Sequence, residues 1–246
     1  MTKKERIFES AEFDQLIEAV SDDLVMAGIH FQLYRDLLAA ATLEFRRETS
    51  QAWTFWSLTI SAHYNAGLLR LTRAYDHNSR SASLPNLLNW IESHPTLFSA
   101  DEFRSRMSDN PFVESLASSP RVASSARIAE QKKSVGDQDP VVNKLTVTRN
   151  LRVAHTAVNH VLDSTSLAER FPLSDDDVHQ LIQKGQQLIN EYSSLFRAST
   201  AAARIVGYDD YLSVLRSVRS ELEIREARIH QEKRDLGVAD DSRPAI

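Results

Sequence analysis

From Phe13 to Phe196 the apolar residues of this chain return at steps of three and four, the repeat of a helix that buries one stripe. That period restricts the fold more than any single motif does. Six glycines and seven prolines in 246 residues supply too few turn positions for an all-β or loop-rich chain. The expected class is all-α: an antiparallel helical bundle with a less regular middle and a long C-terminal helix.

Phe13, Leu16, Ile17, Val20 and Leu24 open the first predicted helix, with Gly28 as its stop or kink. A second runs from Ile29 to about Arg47. Ser50 is expected to cap a third, SQAWTFWSLTISAHYNAGLLRLTRAYDH, whose apolar residues cover more than one side and so place it at the bundle centre. Ser83 caps a short helix, LPNLLNWIES, ended by His94-Pro95. Residues 96–120 read as short broken pieces, followed by a polar helix over Arg121–Lys133. Ser174 with Asp177 three residues on comes close to a capping box, with Asp in place of Glu, and starts a helix that reaches about Ile205 and closes at Gly207. From Tyr208 to about Leu236 charges of both signs flank a narrow apolar stripe, the pattern of a packing or dimer-forming helix. The expected division is a bundle over 1–206, the charged helix over 207–236 and a disordered tail over 237–246.

The chain has no cysteine, which excludes disulfides, thiolate catalysis and cysteine metal sites. The opening MTKKERIFES lacks the apolar core of a secretory signal, and no apolar run approaches the ~20 residues of a membrane span. A cytoplasmic location without membrane contact is the expectation. A net charge of −5 excludes a generally basic coat but leaves room for a local basic patch.

Such a patch exists. From Arg121 to Arg152 seven Lys or Arg (121, 127, 132, 133, 144, 149, 152) stand against three acids (130, 137, 139), a surplus of +4. Within it, Asp139 to Leu162 (DPVVNKLTVTRNLRVAHTAVNHVL) reads as one helix, capped by Asp139 and started by Pro140. Arg149, Asn150, Arg152 and His155 lie beside its apolar stripe. Arginine followed by histidine at this spacing is not informative alone: Arg70/His77 and Arg225/His230 match too, and roughly two matches are expected by chance. The charged surroundings set Arg149/His155 apart.

The order of "FWSLTISAHYNAGLLRLTRAYD", "SLPNLLNWI" and then "RN-LRV-AH" resembles the HEPN superfamily, most closely its AbiU-like abortive-infection branch, over roughly Phe13 to Phe196. The resemblance implies a HEPN-like bundle that dimerises and brings two arginine–polar–histidine motifs together. It implies metal-independent RNA cleavage in phage defence or as a toxin, with a cognate antitoxin or regulatory protein as a further partner. Carried over, the catalytic residues are Arg149, Asn150 and His155. The position two beyond the histidine, a tyrosine in some members, is Ala157 here.

Residue chemistry agrees with such a role. Imidazole can take the proton of a ribose 2′-OH, and a guanidinium forks onto two phosphate oxygens. Arg152 and Lys144 are the expected substrate-binding residues. At ~100° and ~1.5 Å per residue, Arg149 and His155 stand ~120° apart and ~9 Å along the axis, so one chain presents half a site. No metal or cofactor is expected: His155 and His160 are five apart, and there is no HExxH and no glycine-rich phosphate loop. Two other readings stay open, a non-catalytic HEPN module that binds RNA or protein, and a plain helical interaction protein working through its last helix.

Overall fold

The computed structural model describes residues 3–150, 173–200 and 209–237, and among them every regular element is a helix. The elements are α1 (Lys3–Ala39), a π turn (Ala40–Glu44), α2 (Arg46–Ser50), α3 (Trp53–Ala74), α4 (Leu84–Ser93) and a 3-10 turn (Pro95–Phe98). There follow α5 (Ala100–Arg106), α6 (Val113–Ala117), α7 (Ser125–Ser134), α8 (Pro140–Arg149), α9 (Asp175–Arg197) and α10 (Tyr211–Asp235). The all-α expectation holds, and the short pieces between 95 and 117 are the irregular middle. No described helix is long and apolar enough to cross a membrane.

The chain folds as two compact units, Met1–Phe31 with Tyr64–Arg204, and Gln32–His63 with Ile205–Ile246. In the first, Phe13, Ile17 and Leu24 of α1 share a core with Leu68 and Leu71 of α3, Leu84, Leu87 and Leu88 of α4, Val142 and Leu145 of α8, and Leu181, Tyr192 and Phe196 of α9. Each set sits at helical spacing, so one face of each helix meets that core. In the second unit Leu37, Phe45, Trp56, Ile60 and Leu215 are buried together. There Glu48, almost wholly buried, accepts from Arg219 Nε at 2.6 Å, and the guanidinium lies 4.2 Å from the Phe45 ring centre. The Arg219 hydrogen bond holds the Glu48 carboxyl below its ordinary value.

Several local expectations change. α1 runs through Gly28 without a break, because Leu24, Ala27 and Phe31 around it are all in the core and their burial outweighs the ~1 kcal/mol helix penalty of glycine. Ser50 does not cap α3; its hydroxyl donates back to the Arg47 carbonyl at 2.7 Å, and α3 starts at Trp53. Ser83 does precede α4, but its hydroxyl is buried and has no hydrogen-bond partner among the described residues. On α3 Trp56, Ile60, Leu68 and Leu71 are buried, whereas Trp53, Phe55 and Leu58 are 54, 61 and 66% exposed. The helix is therefore not enclosed on all sides.

α9 stops at Arg197, eight residues before the expected end, through Ala198 in the left-handed conformation (φ 51°). Gly207 lies outside the described residues. The polar helix expected from Arg121 starts instead at Ser125. Arg121 Nη1 donates to the Ser194 and Leu195 carbonyls at 2.8 and 3.0 Å, and its Nη2 to the Leu116 carbonyl at 2.8 Å. Its guanidinium lies 3.6 Å from the Phe103 ring centre. Arg106 does the same for the Phe196 carbonyl at 2.8 Å. One buried and one part-buried guanidinium thus bind carbonyls of the last turn of α9, where the helix C-terminus favours positive charge.

Candidate functional site

The site begins with the N-terminus of α8. Asp139 Oδ1 accepts from the Val141 and Val142 N–H groups at 2.9 and 3.1 Å, and Pro140 occupies the first turn, where its missing donor costs nothing. Val142 and Leu145 then pin one face in the core. α9 has its own cap: Ser174 Oγ accepts from the Asp177 N–H at 3.1 Å, while the Asp177 carboxylate accepts from the Ser174 N–H at 2.9 Å.

The two caps are linked crosswise. Lys184 of α9 donates to Asp139 at 2.8 Å, and Lys144 of α8 donates to Asp177 at 3.1 and 3.0 Å. Burial alone would raise both carboxyls. For Asp139 the Lys184 hydrogen bond and the two backbone N–H groups reverse that, and for Asp177 the Ser174 N–H and Lys144 do, so both sit below their ordinary value.

Arg149, the last residue of α8, lines a cavity of about 100 Å³ together with Thr72, Tyr75, Asp76, His77, Asp137, Leu145 and Thr146. Its Nε is buried and has no hydrogen-bond partner among the described residues. Further lining comes from the end of α3 and the residues just after it. Tyr75 is buried there and its hydroxyl donates to the Leu181 carbonyl at 2.6 Å; burial and the nearby Asp139 charge push that hydroxyl well up, so it stays neutral. Asp76 accepts from the Ser81 hydroxyl at 2.5 Å and the Asn78 N–H at 3.2 Å. Burial by itself would raise its carboxyl, but these bonds and the charges of Arg149 and His77 hold it below its ordinary value. His77 Nε2 lies 3.1 Å from Asp137 Oδ1, a residue of the loop before α8.

Asn150 continues the helical backbone and is exposed, with its side chain toward solvent rather than in the cavity wall. Lys144 is part-buried and committed to Asp177. His155 and Arg152 lie outside the described residues. The structure therefore sets Arg149 among groups that the spacing argument passed over. Arg70, the arginine formally spaced to His77, is engaged by Asp22 and Asp23 at 2.9 Å each, and His77 shares its cavity with Arg149 instead. The dipeptide Asp76-His77 at a helix end was the visible signal, but nothing in sequence joins it to a residue 72 positions on.

Pairing also thins the basic surplus. Arg121 is buried on carbonyls, Arg127 lies between Glu130 and Glu191, Lys132 meets Glu92, and Lys144 meets Asp177. Lys133 and Arg149, with the carbonyl-bound Arg121, are the described members of the patch that form no ion pair within 4 Å among the described residues. No group of three or more metal-ligating side chains gathers among the described residues.

The sequence matches the HEPN family AbiU2 over residues 10–216, more than half of the chain. The chain belongs to that family. No match is found among curated proteins or among solved structures. Membership in AbiU2 makes the all-α architecture HEPN-like and points to a HEPN-type function related to abortive infection.

Proposed function

We propose that this AbiU2-family chain is a metal-independent endoribonuclease, acting in phage defence or as a toxin-like effector, and that two copies complete its site. The observation that carries this reading is the family match over residues 10–216, which encloses Arg149, Asn150 and His155. The surroundings of Arg149 support it. A guanidinium on a capped, ion-paired helix borders a polar cavity, the setting in which a fixed cation stabilises charge developing on phosphate. His155 takes the proton of the attacking 2′-OH, Arg149 holds the non-bridging oxygens, and Asn150 orients the scissile group. Arg152 adds a phosphate contact, whereas Lys144 acts through Asp177.

The test is total RNA incubated with wild type, Arg149→Ala and His155→Ala in excess EDTA. Wild type breaks the RNA and neither variant does, with fold and oligomeric state unchanged by circular dichroism and light scattering. Cleavage surviving both substitutions, or lost on chelation, refutes the reading. The internal pairing of Arg127, Lys132 and Lys144 favours a second reading, an RNA- or protein-binding module without catalysis; it predicts retention of RNA without breakage.

A further inference from the structure

We infer that His77, oriented by Asp137, is a second catalytic residue at the Arg149 cavity and donates the proton to the leaving 5′-oxygen during RNA cleavage; this rests on the ribonuclease reading above.

Cleavage by the 2′-OH needs two proton transfers. As the P–O2′ bond forms, a base removes the 2′ proton; as the P–O5′ bond breaks, an acid protonates O5′. The products are a 2′,3′-cyclic phosphate and a 5′-hydroxyl, and the two imidazoles exchange their protons with water afterwards. His155 serves the first transfer. Arg149 serves neither, because guanidinium keeps its proton throughout the working pH range.

The described cavity contains one further side chain suited to move a proton. His77 lines it beside Arg149, Asp76 and Asp137. Its Nε2 lies 3.1 Å from Asp137 Oδ1, an ion-pair contact that sets this edge of the ring toward the carboxylate and leaves Nδ1 as the nitrogen for a ligand. A carboxylate behind an imidazole is the usual way to set ring orientation and tautomer. The His77 side chain is 33% exposed and the Asp137 side chain 65%, so a substrate reaches the pair from solvent.

The charged groups facing His77 are Asp76 beside it, Asp137 from the loop before α8 and Arg149 at the end of α8. Tyr75 is excluded as the acid because its hydroxyl is buried on the Leu181 carbonyl. Asp76 is excluded because it is held ionised by Ser81, Asn78, Arg149 and His77. Three segments distant in sequence therefore converge on one pocket, whose lining holds both a cation able to bind phosphate and an imidazole paired with a carboxylate.

The competing source of the acid is a second His155 from the other copy, and leaving-group chemistry separates the two. A cleaved linkage is first mapped in total RNA with wild type. Two oligonucleotides spanning it are then compared, one natural and one with sulfur in place of the bridging 5′-oxygen, since a thiolate leaves without protonation. His77→Gln is expected to cleave the natural linkage roughly 10²–10⁴-fold more slowly than wild type, the usual range for loss of a general acid, and to cleave the sulfur linkage within about threefold of it. His155→Gln stays slow on both.

Asp137→Asn, at an exposed position, tests the positioning role independently. It loses about tenfold on the natural linkage and recovers on the sulfur one. If His77→Gln cleaves the natural linkage as fast as wild type, or is equally impaired on both linkages, the inference is overturned. If His77→Gln does not fold, the same two criteria apply to Asp137→Asn. Wild type that cleaves no RNA removes the ribonuclease reading and this one with it, whereas wild-type cleavage with normal His77→Gln removes this one alone.

Discussion

One substitution, glycine to alanine, should have opposite effects at two positions of the first unit. A Cβ on Gly185 of α9 would lie 2.7 and 2.8 Å from the two Leu24 methyls and 3.3 Å from Leu84 Cδ1. Leu24 and Leu84 are both fully buried, so neither methyl set has free space to move into. Overpacking of this kind costs about 1–3 kcal/mol, and two contacts below 3 Å place it near ~2–3. Helix propensity returns ~1 kcal/mol, leaving a net loss of about 1–2. A Cβ on Gly28 of α1 meets nothing nearer than Ile182 Cγ2 at 3.9 Å, so propensity alone acts and about 0.5–1 kcal/mol is gained. At roughly 2–4 °C per kcal/mol for a chain this long, Gly185→Ala should melt about 2–8 °C below wild type and Gly28→Ala about 1–4 °C above it. Thermal unfolding followed by circular dichroism at 222 nm reads both. Gly185→Ala melting at or above wild type would show that Leu24 can yield to a Cβ at this α1–α9 contact, and would refute the overpacking argument. Gly28→Ala melting below it would show that the helix is not regular there.

Arg121→Lys should destabilise nearly as much as Arg121→Ala, by roughly 3 kcal/mol in urea unfolding, because an ammonium cannot span the Leu116, Ser194 and Leu195 carbonyls while covering Phe103. Equal stability of Arg121→Lys and wild type would argue against that role. The Asp139 and Asp177 carboxyls are lowered in the folded chain, so their contribution is fully present above the ordinary carboxylate value of about 4 and is lost as pH falls through it toward the folded values. The double variant Asp139→Asn/Asp177→Asn should flatten the acid limb of a stability–pH curve, and an unchanged limb would assign acid unfolding to other groups. Lys144→Met should lower stability while leaving the salt dependence of RNA binding unaltered, since its charge is spent on Asp177. A shallower salt slope would restore Lys144 as a phosphate contact.

Short-range chemistry was legible in the sequence. Asp139 before Pro140, and Ser174 three residues before Asp177, mark the starts of α8 and α9, because a cap is satisfied by atoms two or three residues away. What escaped depends on neighbours distant in the chain. Gly28 reads as a break until Leu24 and Phe31 are seen to be buried on either side of it. Trp53 and Phe55 read as core because aromatic area measures what burial would gain, not whether a helix arrives to cover it. Arg121 counted toward a basic patch, yet its charge is consumed by the end of α9, 73 residues on. At the site, Arg149 could be picked out by its surroundings, but Asp137 and His77 are 60 residues apart and only the fold makes them a pair.

The crosswise ion pairs between α8 and α9 have a consequence for that arginine. A single bond between two rods fixes a distance and leaves them free to swivel. Two bonds, set about 7.5 Å apart along α8 at Asp139 and Lys144, also fix the phase of one rod against the other. A slip of one turn, ~5.4 Å, would break both at once and expose both caps, so partial slippage has no stable resting point. The azimuth of Arg149, about one and a half turns further on, is thereby dictated from behind, by residues that do not line its cavity.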